Sequence, residues 1–138
     1  MSYEYFEHQA DIGVRGVGAT LVEAFEQVAL AMFEIMVETK DLQLGESDMI
    51  EIKASNREEL LLEWLSELLY LKDVEGKMYG RFKVEKLSDT SLVAKIYGEP
   101  IDIDRHKLKL EVKAATWTQL QITQTTDNKW IAQCLVDV

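Results

Sequence analysis

The chain has 138 residues, 47% of them hydrophobic, which is enough for one domain spanning 1–138 that buries roughly two-thirds of its unfolded surface without covalent staples. The single cysteine, Cys134, excludes an intrachain disulfide and a cysteine-based metal cluster. Fifteen Lys and Arg, scattered along the sequence without a cluster, face twenty-five Asp and Glu, a net charge of -10. That balance argues against direct nucleic-acid binding and suits a basic protein partner or a hard cation.

The opening "MSYEYFEHQ" has no basic segment leading into an apolar one, and no run approaches the ~18 apolar residues of a membrane span. The expectation is a soluble, unprocessed, cytoplasmic protein. Two short strand-like pieces meet at Asp11, which is flanked by Ala10 and Ile12. From Thr20 to Glu38 the apolar residues recur at three- and four-residue steps, with Thr20 and Glu23 as a capping box, and predict a helix with a broad buried face. Gly45 and Glu46 mark a loop, and "MIEIKAS" alternates as a strand.

Asn56 starts a second helix, whose stripe runs through Leu60, Leu61, Trp64, Leu65, Leu68, Leu69 and Leu71 to a stop at Gly76. Strands follow at "YGRFKVEKL" and "SLVAKIYGE", then "LKLEVKAATWTQLQITQ" with a break near Ala114 to Trp117, then "KWIAQCLVDV". The turn signals "SDTS" and "TTDN" make these antiparallel hairpins. The pattern predicts an α+β fold in which two amphipathic helices pack on one face of a largely antiparallel sheet.

Phosphate-loop, dinucleotide, zinc-protease and CxxC motifs are absent, and no serine lies in a GxSxG elbow. What stands out is a pair of carboxylates in apolar settings, Asp11 and the penultimate Asp137 of "CLVDV". Desolvating a carboxylate costs several kcal/mol unless it is paired or binds a cation. If the last strand enters the sheet beside the first, the two acids and the end of the chain at Val138 form an all-oxygen site for Ca²⁺ or Mg²⁺. Otherwise Asp11 serves a turn and Asp137 frays into solvent.

"HQADIGVRGVGATLVEAFEQVALAMFEIM" resembles the opening of the archease family, with its H-x-A-D-[IV]-G-[IV] stretch and acidic, Ala-rich first helix. The resemblance continues in order through "EELLLEWLSELLYL", "GEPIDIDRHKLKLEVKAATW" and the final apolar strand. It implies a non-catalytic protein cofactor of the RtcB-type RNA ligase, which joins tRNA halves through a guanylylated histidine. Members promote guanylylation and multiple turnover, and hold a metal, usually calcium, on residues that correspond to Asp11, Asp137 and Val138. Many members continue K-A-x-T-[YW]-H, whereas Thr118 follows Trp117 here. Lys113 and Glu99 are further polar candidates near the site. Two alternatives remain: a general small acidic chaperone or modulator of RNA-processing or methyltransferase enzymes, and a hydrolase using Asp11, Asp137 and a metal-bound water.

Overall fold

The structure, a computed structural model, describes residues 1–8 and 11–138. Strands β1 (Ser2–His8) and β2 (Asp11–Gly18) pair antiparallel, with His8 opposite Asp11. Helix α1 (Leu21–Met36) begins where the sequence places it: the Thr20 hydroxyl accepts the Glu23 N–H at 3.1 Å. The Glu23 carboxylate in return reaches Ala19 N at 2.9 Å, one residue earlier than a strict capping box. The helix ends two residues sooner than its periodicity suggests. Val37 turns extended and forms an isolated bridge with Leu108.

Strand β3 (Glu46–Lys53) takes in Glu46, which reads as loop in the sequence, and starts three residues before "MIEIKAS". Asn56 caps helix α2 (Arg57–Glu75) by accepting the Glu59 N–H at 2.9 Å. Gly76 ends it in the left-handed region at φ +63°, where a side chain would be strained. Leu62 and Lys72 join the buried face of α2, while Leu71 is only half-buried. Strands β4 (Lys77–Leu87), β5 (Ser91–Pro100), β6 (Ala114–Ala115), β7 (Gln121–Gln124) and β8 (Trp130–Asp137) complete the chain.

The strands fall into two antiparallel sheets. One runs β1-β2-β8-β6 with β7 also on β8, and the other runs β3-β5-β4. Each helix touches strands of both sheets. The indole N–H of fully buried Trp64 on α2 donates to Phe25 O on α1 at 3.0 Å, so the helices are joined by a polar bond inside the core. Phe33 then packs against Tyr79 and Phe82 of β4, with ring centroids 5.8 and 5.5 Å apart.

The strand expected to begin at Leu108 does not form a ladder there. Lys109 N donates instead to Met36 O at 2.9 Å, and Leu110 N to Ile35 O at 3.2 Å. These are carbonyls that the end of α1 leaves without helical partners, so the segment serves as a clip on that end. The expected break contains the short ladder, Ala114–Ala115 on β8. Of the alternating Leu108, Leu110 and Val112, Val112 alone is buried. The period-2 pattern marks an extended chain without saying what pairs with it. Among the described residues no helix is long and apolar enough to cross a membrane.

Candidate functional site

In β8, Ala132, Cys134 and Val136 face the core, and alternation sends Gln133, Leu135 and Asp137 to the other face. The β2–β8 register sets Asp11 directly opposite Asp137. Cross-strand partners share a face with Cβ atoms about 4.5–5.5 Å apart, and like charges so placed repel. Among the described residues neither carboxylate is in an ion pair. Asp11 is half-buried, Asp137 is exposed, and Val138 is half-buried against the core.

The next row inward is apolar. A Cβ on Gly13 would lie 2.3 Å from the Phe6 ring, so the missing side chain is what lets the ring cover β2 beside the acids. Opposite Gly13, Leu135 is fully buried. One row further, Arg15 is bound to Glu4 and to Gln133 Oε1, each at 2.9 Å, and lies 4.7 Å from the Phe6 centroid. Four residues of strand, about 13 Å, separate it from Asp11, so the cation in this column is committed elsewhere.

The donor set is oxygen only, which fits a hard divalent cation and not a soft one. Among the described residues no group of three or more His, Cys, Asp or Glu side chains is placed to hold a metal. A cation between Asp11 and Asp137 would therefore draw further ligands from main-chain oxygen and water. On the core side of the same strand end, Ile12 borders a mainly apolar cavity of about 630 Å³ with Tyr3, Tyr5, Ile35 and Leu110.

The other two candidates fall in different places. Lys113 is exposed, and its N–H donates to Asp137 O at 2.8 Å, which brings it to the acid row. Glu99 belongs to the other sheet, on β5, and is buried. Its carboxylate accepts the Gln43 N–H at 2.6 Å, is bound by Arg105, and lies 3.0 Å from His106 Nε2. Burial alone would raise its pKa, but the Gln43 N–H, the Arg105 guanidinium and His106 outweigh it and hold the carboxyl at about 2. His106 Nδ1 accepts the Asp102 N–H at 2.9 Å, which leaves Nε2 to face the Glu99 carboxylate.

Sequence reasoning missed this knot of Glu99, Arg105 and His106. The available signal was a histidine at the end of a Pro- and Asp-containing turn shortly after a strand. Thr118 clamps the last strand through its backbone: its carbonyl accepts the Leu135 N–H at 3.1 Å, two residues before Asp137. Cys134 is a buried small apolar group, and burial pushes its thiol up to about 12.

A family model, described as the Archease protein family (MTH1598/TM1083), matches residues 3–138. The archease of Pyrococcus furiosus is 43% identical over 139 residues, covering 99% of this chain and 98% of that protein. The archease of Sulfolobus acidocaldarius is 37% identical over 137 residues, with 99% and 98% covered. Among solved structures, the solution structure of Methanobacterium thermoautotrophicum protein 1598 superposes with a TM-score of 0.82 at 33% identity, covering 99% of each chain. The crystal structure of a Thermotoga maritima archease, described as a possible chaperone, gives 0.61 at 18% identity over 96% and 94% of the chains, a likeness of fold alone.

Proposed function

The chain belongs to the archease family, and from that premise we propose that it is a metal-binding protein activator of an RtcB-type RNA ligase in tRNA splicing. It acts in the cytoplasm as an accessory factor, raising guanylylation and turnover of the ligase without catalysing a reaction itself. The observation that carries the reading is the facing pair Asp11 and Asp137, an arrangement that is unfavourable until a cation lies between the carboxylates. These two acids and the main-chain oxygen of Val138 would hold Ca²⁺. The ion would supply a fixed positive charge at the tip of the sheet.

The residues around it have separate tasks. Phe6 and Leu135 make the row beside the acids apolar. Arg15, tied to Glu4 and Gln133, stays out of the acid row. The net charge of -10 favours docking on a basic ligase surface and speeds the encounter.

The test is guanylylation of a cognate ligase at limiting enzyme, with and without this protein. Acceleration that disappears with Asp137→Ala supports the reading; equal acceleration by wild type and variant sinks it. A second reading, a general acidic chaperone or modulator of RNA-processing or methyltransferase enzymes, draws on the description of the Thermotoga maritima relative as a possible chaperone. It predicts equal protection of unrelated enzymes from aggregation, independent of Asp11 and Asp137.

A further inference from the structure

Five of the fifteen Lys and Arg residues, three of them on β4, come together on the solvent face of the β3-β5-β4 sheet. Alternation buries Phe82, Val84, Ala94 and Ile96 on the helix side. The outward rows are Ser47, Tyr97 and Arg81; Met49, Lys95 and Lys83; Glu51, Val93 and Lys86; then Lys53 and Ser91. Lys83 and Lys95 stand directly opposite each other, a like-charge pair that is unfavourable in the absence of an anion.

The cations elsewhere are largely consumed. Arg15, Arg57, Lys72, Lys77, Arg105, Lys109 and Lys129 are in ion pairs. Among the described residues, none of Lys53, Arg81, Lys83, Lys86 and Lys95 is. The acids exposed on these strands beside them include Glu51 and Glu85. The face is thus locally positive on a chain of net charge -10.

An aromatic ring lies within the patch. The Arg81 guanidinium carbon is 5.0 Å from the Tyr97 ring centroid and Lys95 Nζ is 5.5 Å from it. Met49, 57% exposed, and half-buried Val93 add apolar surface between the charges. Cations in this lattice recur about 7 Å apart along a strand and about 5 Å apart across it. Acidic side chains alone would answer the charge and leave the Tyr97 ring unused. A single-stranded polynucleotide answers both: phosphates meet the cations, and a base stacks on an aromatic ring or a guanidinium plane.

We propose that the solvent face of the β3-β5-β4 sheet binds single-stranded RNA, with phosphates on Lys53, Lys83, Lys86 and Lys95 and a base on the Arg81–Tyr97 pair. The choice of RNA over DNA rests on the RNA-ligase reading above. The argument from net charge describes the molecule as a whole, and this face departs from it locally. Repulsion from the remaining surface keeps the affinity modest and confines contact to the one face.

The test is fluorescence anisotropy of a labelled oligouridylate with the full chain between about 50 and 200 mM salt. Single-strand binding loses about 0.7 in log K per unit of log salt for each phosphate neutralised. Lys83→Glu with Lys95→Glu is therefore expected to lower the slope by about 1.4 and the low-salt affinity at least ~tenfold. Lys107→Glu with Lys129→Glu changes net charge equally and is expected to cost less than about threefold. Lys83→Arg with Lys95→Arg should bind as wild type, and circular dichroism should report all the variants folded.

Absence of binding at low salt, or equal loss in the two glutamate pairs, overturns the proposal. So does competition by polyglutamate as strong as by unlabelled RNA, which would make the occupant an acidic protein, or equal binding of the matching oligodeoxynucleotide. Ligase guanylylation keeps the two readings apart. Lys83→Glu with Lys95→Glu should leave it intact while RNA binding falls, whereas Asp137→Ala should do the reverse.

Discussion

Asp11 and Asp137 stand opposite each other across β2 and β8, so the first and last thirds of the chain meet in one pair of like charges. Without a cation this pair costs stability, and with one it adds to it. Asp11→Asn and Asp137→Asn are each expected to match or exceed the melting temperature of the wild type in chelator. Added calcium should stabilise the wild type by about 2.7 kcal/mol at a hundredfold excess over Kd, and leave the variants unmoved. Calorimetry with calcium and with chelator decides it; the same calcium shift in all three proteins would remove the metal from this row.

Glu99 gives a stability that depends on pH. Its folded pKa, about 2, is below the ordinary 4.5, so the folded state favours the carboxylate. The resulting stabilisation is complete above 4.5 and is lost as pH falls from there through about 2. Glu99→Gln should therefore cost about 1–3 kcal/mol at neutral pH, since Arg105 and the Gln43 N–H lose a charged acceptor. The gap between variant and wild type should close toward the acid limit. Urea melts at several pH values measure this, and a gap that stays constant down to the acid limit would mean that the carboxylate is not the stabilising group.

Both helix starts and the end of α2 were legible because their signals are local. Thr20, Asn56 and Gly76 act within four residues of themselves, and each does what its residue type predicts. The two-sheet arrangement was not legible, because period-2 alternation tells which residues share a face and not which strands share an edge. Leu108 to Lys113 shows the same gap: an extended segment whose partners turned out to be helix carbonyls. Asp11 and Asp137 were conspicuous as acids among apolar neighbours, but their register depends on a pairing across nearly the whole chain. Glu99, expected near the acids, belongs to the other sheet, and its cation lies in a loop whose fold the sequence pattern does not describe.

The proposed docking of the acidic surface on a basic ligase has a kinetic signature. Charges separated by more than about 8 Å are screened at physiological ionic strength, so association with the ligase should slow as salt rises. Dissociation, set by close contacts, should change much less. Stopped-flow association at several salt concentrations tests this. An association rate that does not move with salt would mean that the charge of -10 plays no part in the encounter.

Gly13 and Phe6 form a pair whose coupling can be measured. A methyl group on Gly13 would fall 2.3 Å from the ring, so Gly13→Ala must push Phe6 off β2 or bend the strand beside Asp11. Overpacking of this kind costs about 1–3 kcal/mol. Phe6→Ala is destabilising too, because the ring covers the strand next to the acids and lies under Arg15. If the clash is the whole cost of the methyl group, adding Gly13→Ala to Phe6→Ala should cost little more, giving a coupling of at least ~1 kcal/mol in a double-mutant cycle. Calcium affinity should follow the same logic, falling in Gly13→Ala as the acid row is displaced and recovering in part when the ring is removed. Additive stabilities together with unchanged calcium binding would mean that the ring and the acids are independent, and that Phe6 covers the strand without shaping the site.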